Sequence, residues 1–73
     1  MANESFEAQM RGIVSRTLSL GITKAAIAER AGYERSAFIK WTNDPTKNLT
    51  LSSADSIRRA CLDLARAKTG GEQ

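Results

Sequence analysis

No histidine occurs anywhere in the chain. That removes imidazole ligands from any zinc site, the base of any Ser–His or Cys–His nucleophile, and the usual proton carrier near neutral pH. A single cysteine, Cys61, forbids a disulfide within the chain and points to a reducing compartment. The carboxylates are scattered, so no convergent set of acid, base or metal groups is visible. The expectation is a protein with no catalytic residues, no metal and no cofactor, and not an enzyme. No apolar run approaches the ~18 residues of a membrane span, and no signal-peptide pattern is present. A cytoplasmic protein without membrane contact is expected. Repeats and low-complexity segments are also missing, and one proline leaves few enforced breaks in helical structure.

What is present is an ordinary globular balance with a mild basic lean. Eleven Lys and Arg against eight Asp and Glu give +3 and a pI near 9.5, which favours acidic partners without resembling a polybasic tail. Glu4 and Glu7 make the N-terminus negative, so no basic arm of the minor-groove type is expected. At 73 residues there is room for one domain. It is expected over residues 1–69, with 70–73 as a flexible tail in "TGGEQ".

Hydrophobic spacing predicts four helices, at about 4–19, 24–31, 35–42 and 52–68, and no strand. The first carries Phe6, Met10, Ile13, Val14 and Leu18 at three- and four-residue intervals, with Asn3 as N-cap and Gly21 as its stop. Thr23 caps the second, whose inward face is Ile27, Ala28 and Ala31; its small residues allow close approach of another helix. Gly32 ends it. Glu34 opens the third, with Phe38 and Trp41 inward and Tyr33 placed to staple against Phe38. "NDPTKN" is a loop. The fourth helix starts near Thr50 or Ser52, where Ser52-x-x-Asp55 reads as a capping box. Its stripe is Leu51, Ala54, Ile57, Cys61 and Leu64. The fold class is all-α.

The second and third helices are joined by a turn of about three residues around Gly32. So short a turn favours a steep crossing rather than antiparallel bundle packing, which is the helix-turn-helix unit. The stretch "TKAAIAERAGYERSAFIKW" resembles the helix-turn-helix of the phage lambda repressor and Cro-like family, through Thr23, Ile27-Ala28, Gly32, Phe38 and Trp41. "NLTLSSADSIRRAC" resembles that family's following loop and helix. Coverage runs over roughly residues 13–62. Glu34 stands where the family usually has Ser or Thr, and Thr17 where members often have Arg. A fifth helix, which many members use to dimerise, is not expected.

The resemblance implies a compact four-helix lambda-repressor-like domain whose third helix, 34–42, lies in the major groove of double-stranded DNA. Base readout then falls to Arg35, Ser36, Ile39 and Lys40. Arg35 would pair with guanine O6 and N7, and Ile39 would meet a thymine methyl or else pack at the edge of the fourth helix. Thr23, Lys24 and Asn43 match backbone-contacting positions, and Lys47 in the loop joins them on charge alone. Gly32 is the structural turn. Glu34 serves either as a cap at the helix dipole or as an acceptor from cytosine N4. Arg11, Arg16, Arg58, Arg59 and Arg66 read as solvated helix surface.

The function implied is a sequence-specific transcriptional regulator of the Cro/C1 type, a repressor of phage or bacterial origin. It would bind an inverted repeat as a homodimer joined through the fourth helix, where Leu62 and Leu64 lie on different faces. Two alternatives stay open. One is a protein-interaction module of the same fold, such as the antitoxin of a toxin–antitoxin pair. The other is a DNA-binding piece of a recombination or packaging complex.

Overall fold

A computed structural model describes residues 6–70. Within them the order is α1 (Phe6–Ser19), α2 (Lys24–Ala31), α3 (Arg35–Asn43) and α4 (Leu51–Lys68), and no strand occurs among the described residues. The Asn3 cap, Glu4 and the tail beyond Gly70 lie outside them. No helix among the described residues is long and apolar enough to cross a membrane.

Local chemistry explains each break. α1 stops where Gly21 takes φ +91° and its N–H donates to the Leu18 carbonyl at 2.9 Å. Thr23 is extended, and its hydroxyl accepts from the Ala26 N–H at 3.0 Å, satisfying one of α2's free amides. α2 ends in a Schellman turn. Gly32 adopts φ 71°, ψ 27°, and the Tyr33 N–H reaches back to the Ala28 carbonyl at 2.9 Å.

A side chain at Gly32 would meet nothing within 4 Å, so the constraint there is the positive φ alone. Gly32→Val is therefore expected to lose about 1–2 kcal/mol of stability, the cost of left-handed backbone for a residue with Cβ. Gly32→Asn, which tolerates that region, should recover much of it. Equal melting temperatures for glycine and valine would mean that the turn relaxes without strain.

α4 packs against both α1 and α2, and α3 packs against α2. The core is built from Met10, Val14, Ile27, Ala28, Phe38, Trp41, Leu49, Ala54, Ile57, Ala60 and Cys61. Each large side chain here contributes about 1.5–3 kcal/mol by leaving water. Tyr33 meets Phe38 edge-on at 6.4 Å, and Phe38 stacks on Trp41 at 5.9 Å, so the expected staple forms. Cys61 is buried beside Thr17, and burial pushes its thiol pKa up against the opposing hydrogen bond with Thr17. The Thr17 hydroxyl itself donates to the Ile13 carbonyl at 2.9 Å, so this polar group is satisfied inside the core.

Three expectations are corrected. The cap of α4 is Thr50, which accepts from the Ser53 N–H at 3.1 Å. Ser52 is already helical, and Asp55 pairs with Arg58 (3.0 Å) and Arg59 (3.1 Å) on the outer face instead of closing a capping box. Leu51 is 76% exposed because at the first residue of α4 only the start of α1 lies beside it; Leu49, outside any helical period, fills the core in its place. Phe6 is also largely exposed, while Thr17 takes a buried place on α1. Leu64 is partly buried against the core, which leaves Leu62 as the exposed leucine of that pair.

Candidate functional site

The surface around α3 is set by how that helix is rooted. Phe38 and Trp41 are buried, so positions 35, 36 and 40 point out to solvent and Ile39 is half-buried at the edge. Arg35 stands over the outer side of α2, sharing a cleft with Ala25, Glu29 and Tyr33. Lys40 shares another with Lys47 and Asn48 of the α3–α4 loop. The start of α2 meets the end of α3, where the Lys24 ammonium donates to the Asn43 side-chain carbonyl at 3.5 Å. Lys24, Arg35, Lys40, Asn43 and Lys47 thus flank the exposed side of α3, at both of its ends and along one edge.

None of these cations forms an ion pair among the described residues, although the charges of Lys40 and Lys47 act on Glu34 and Asp44 respectively. Arg35, Lys40 and Lys47 have no ion-pair or hydrogen-bonding side-chain partner among the described residues, and Lys24 holds only a neutral amide. Three arginines elsewhere are paired: Arg30 with Asp63 at 2.9 Å, Arg58 and Arg59 with Asp55. Such exposed pairs are worth little individually, but they sort the charge. Four cations without ion pairs lie around α3, and Arg16, Arg66 and Lys68 are likewise unpaired on the side of α1 and α4.

Glu34 brings a negative charge to the start of α3, and it is used locally. It caps α3, accepting from the Ala37 N–H at 3.2 Å and from the Ser36 hydroxyl at 2.7 Å. The Ser36 hydroxyl and the Ala37 amide hold its carboxyl below the usual carboxylate range. Ser36 therefore spends its donor on Glu34 and keeps only acceptor capacity for another group. Thr23 likewise uses its hydroxyl oxygen as a cap.

One part of the site was invisible to sequence reasoning. Arg11, read as solvated surface, is a clamp on the α3–α4 loop. Its guanidinium donates to the carbonyls of Trp41 (2.7 Å), Asp44 (2.9 Å) and Lys47 (3.0 Å), and lies 4.2 Å from the Trp41 ring centroid. One turn earlier on α1, the Glu7 carboxylate accepts from the Trp41 indole N–H at 3.1 Å and the Leu49 N–H at 2.8 Å. The two side chains fix both ends of the loop. Between them Asp44 closes a tight turn by accepting from the Thr46 N–H and hydroxyl at 3.0 and 2.6 Å, which hold its carboxyl below the usual range. Lys47 is consequently mounted on a braced loop. The visible signal was a Glu and an Arg four apart on α1; nothing in the sequence names their partners.

Compared with protein-family models, with curated proteins and with solved structures, the chain gives no significant match. Among the described residues, no group of His, Cys, Asp and Glu side chains is arranged to hold a metal ion.

Proposed function

We propose that the chain is a sequence-specific DNA-binding regulator of the lambda repressor and Cro-like type, a repressor of phage or bacterial origin acting in the cytoplasm. α2 and α3 form its helix-turn-helix, and the exposed side of α3 enters the major groove. The observation that carries this reading is that Lys24, Arg35, Lys40 and Lys47 around that helix form no ion pair, while Arg58 and Arg59 on α4 share Asp55. Arg35 reads guanine, with Lys40 one turn behind it; Ile39 offers an apolar edge to a thymine methyl. Lys24, Asn43 and Lys47 hold phosphates, together with the free amides at the start of α2. Glu34 acts as a cap whose charge keeps phosphate away from the N-terminus of α3.

One such helix reads roughly four base pairs, too few to single out an operator among a genome's competing sites. The protein acts as a homodimer on an inverted repeat, with half-sites about one DNA turn, ~34 Å, apart. Phe6 and Leu51 form an uncovered apolar surface beside Asp55 and Arg58. Charges of both signs suit pairing about a two-fold axis, so we place the dimer contact there rather than at Leu62 and Leu64.

Selection of bound duplexes from a random pool, at stated salt, tests the reading; a two-fold symmetric consensus is the expected result. A pool that returns no preferred sequence would remove the regulator reading. Lys24→Ala should weaken binding to every duplex alike and lower the slope of log affinity against log salt by about 0.9. An unchanged slope would take Lys24 off the phosphate backbone.

The protein-interaction reading, including that of an antitoxin, keeps one specific observation in its favour: an apolar groove between α1 and α4 that no residue of α2 or α3 lines.

A further inference from the structure

That groove measures about 380 Å³. For comparison, an apolar cavity of about 150 Å³ holds a benzene-sized group, so there is room for roughly two of them. Its apolar part is Ile13 of α1 and Leu20 just after it, with Cys61, Leu62 and Ala65 from α4. Leu20 is 38% and Leu62 48% exposed, although both stand beside a core that could use their area.

The rim is of one sign. Arg16 lines the groove from α1. Arg66 follows Leu62 by one turn on the same side of α4. The Lys68 ammonium reaches over Gly21, next to Leu20, lying 3.8 Å from where a side chain there would begin. None of the three has an ion-pair partner among the described residues, and no carboxylate lines the groove. This is a second cluster of cations without ion pairs, separate from the one around α3, and unlike the first it surrounds an apolar floor.

We propose that this groove is a docking site for an amphipathic helix of a partner protein, with leucine-like side chains on the floor and Asp or Glu along its flanks. A groove between two packed helices accepts a third helix through side chains spaced i, i+3, i+4 and i+7. Charge decides the occupant. A second copy of this chain, related by a two-fold axis through the groove, would bring Arg16, Arg66 and Lys68 against their own images, and like charges in an interface oppose association. Nucleic acid suits the rim but leaves the leucines without an apolar partner. An acidic amphipathic helix satisfies both floor and rim. Because no residue of α2 or α3 lines the groove, the partner and DNA occupy the protein together. The proposal does not depend on the DNA reading.

The probe is a stapled helical peptide with leucines at i, i+3 and i+7 and glutamates along both flanks, titrated into the full chain and followed by backbone amide NMR. Saturable shifts are expected at Leu20, Leu62 and Ala65, with the amides of α3 unmoved. The same peptide with lysines replacing the glutamates should bind about tenfold more weakly or worse. So should the glutamate peptide on the double variant Arg16→Glu, Arg66→Glu. The peptide swap uses the unaltered protein, so it decides the matter even if the double variant folds poorly. Absence of shifts in the groove, equal binding of both peptides, or shifts centred on α3 would each overturn the proposal. Self-association abolished by Leu62→Glu would also overturn it, by assigning the groove to a second copy. DNA is absent from every arm, so failure here leaves the regulator reading standing.

Discussion

Arg11→Ala should lower folding stability by about 2–4 kcal/mol. A hydrogen bond from a charged donor is worth about 1.5–3 kcal/mol, and a cation over a Trp face about 0.5–2. Arg11 makes three such bonds and the ring contact. These do not add. Water replaces the guanidinium at the exposed Lys47 carbonyl, and the Asp44 and Trp41 carbonyls are only partly buried. The expected loss is therefore well below the simple sum, about that of one or two such bonds. For a domain this size each kcal/mol moves the melting temperature by about 4–8 °C, so thermal unfolding reads the effect directly. Arg11→Lys is the informative control. A lysine keeps the charge, but as a compact ammonium it cannot reach carbonyls of residues 41, 44 and 47 at once, so it should fall between wild type and alanine. A change within about 0.5 kcal/mol, the usual range for open surface, would show that the clamp contributes nothing in solution.

Arg35→Ala should weaken binding to the selected operator by about 1–3 kcal/mol, roughly five- to 150-fold, and leave scrambled duplexes far less affected. Arg35 is exposed with no side-chain partner to release first. It has no folding role to confound the measurement, and the variant should melt like wild type. Arg35→Lys separates charge from geometry. It preserves attraction to phosphate but loses the two-pronged fork, so most of the discrimination should go with it. Parallel losses on specific and scrambled DNA would make Arg35 a backbone contact.

Helix ends were readable where a single residue dictates the backbone. Thr23, Gly32 and the Asp44-Pro45 turn each act on neighbours within three residues, and each stands where its local chemistry places it. Leu51 shows where periodicity misleads. Its spacing from Ala54 matches the buried stripe, but at the helix's first residue only the start of α1 lies beside it. Leu49 was missed for the converse reason, since a residue in a loop carries no period. The Glu7 and Arg11 contacts were out of reach because their partners lie 30 to 42 residues away. Lys24 and Asn43 were named singly by resemblance; their contact across 19 residues follows from how α2 and α3 pack.

Cys61 carries a practical consequence. The chain's one thiol sits 1% exposed where α1 meets α4, beneath Leu62 in sequence and beside Thr17. Alkylation requires the thiolate and a path to the sulfur; burial raises the thiol pKa, and at 1% exposure the residue is covered although it borders the groove between α1 and α4. The rate at which a thiol reagent consumes the folded protein is therefore the rate, or the equilibrium population, of opening the packing around that groove. That gives a label-free protein its own clock for native-state opening, with no engineered probe and no chromophore to attach.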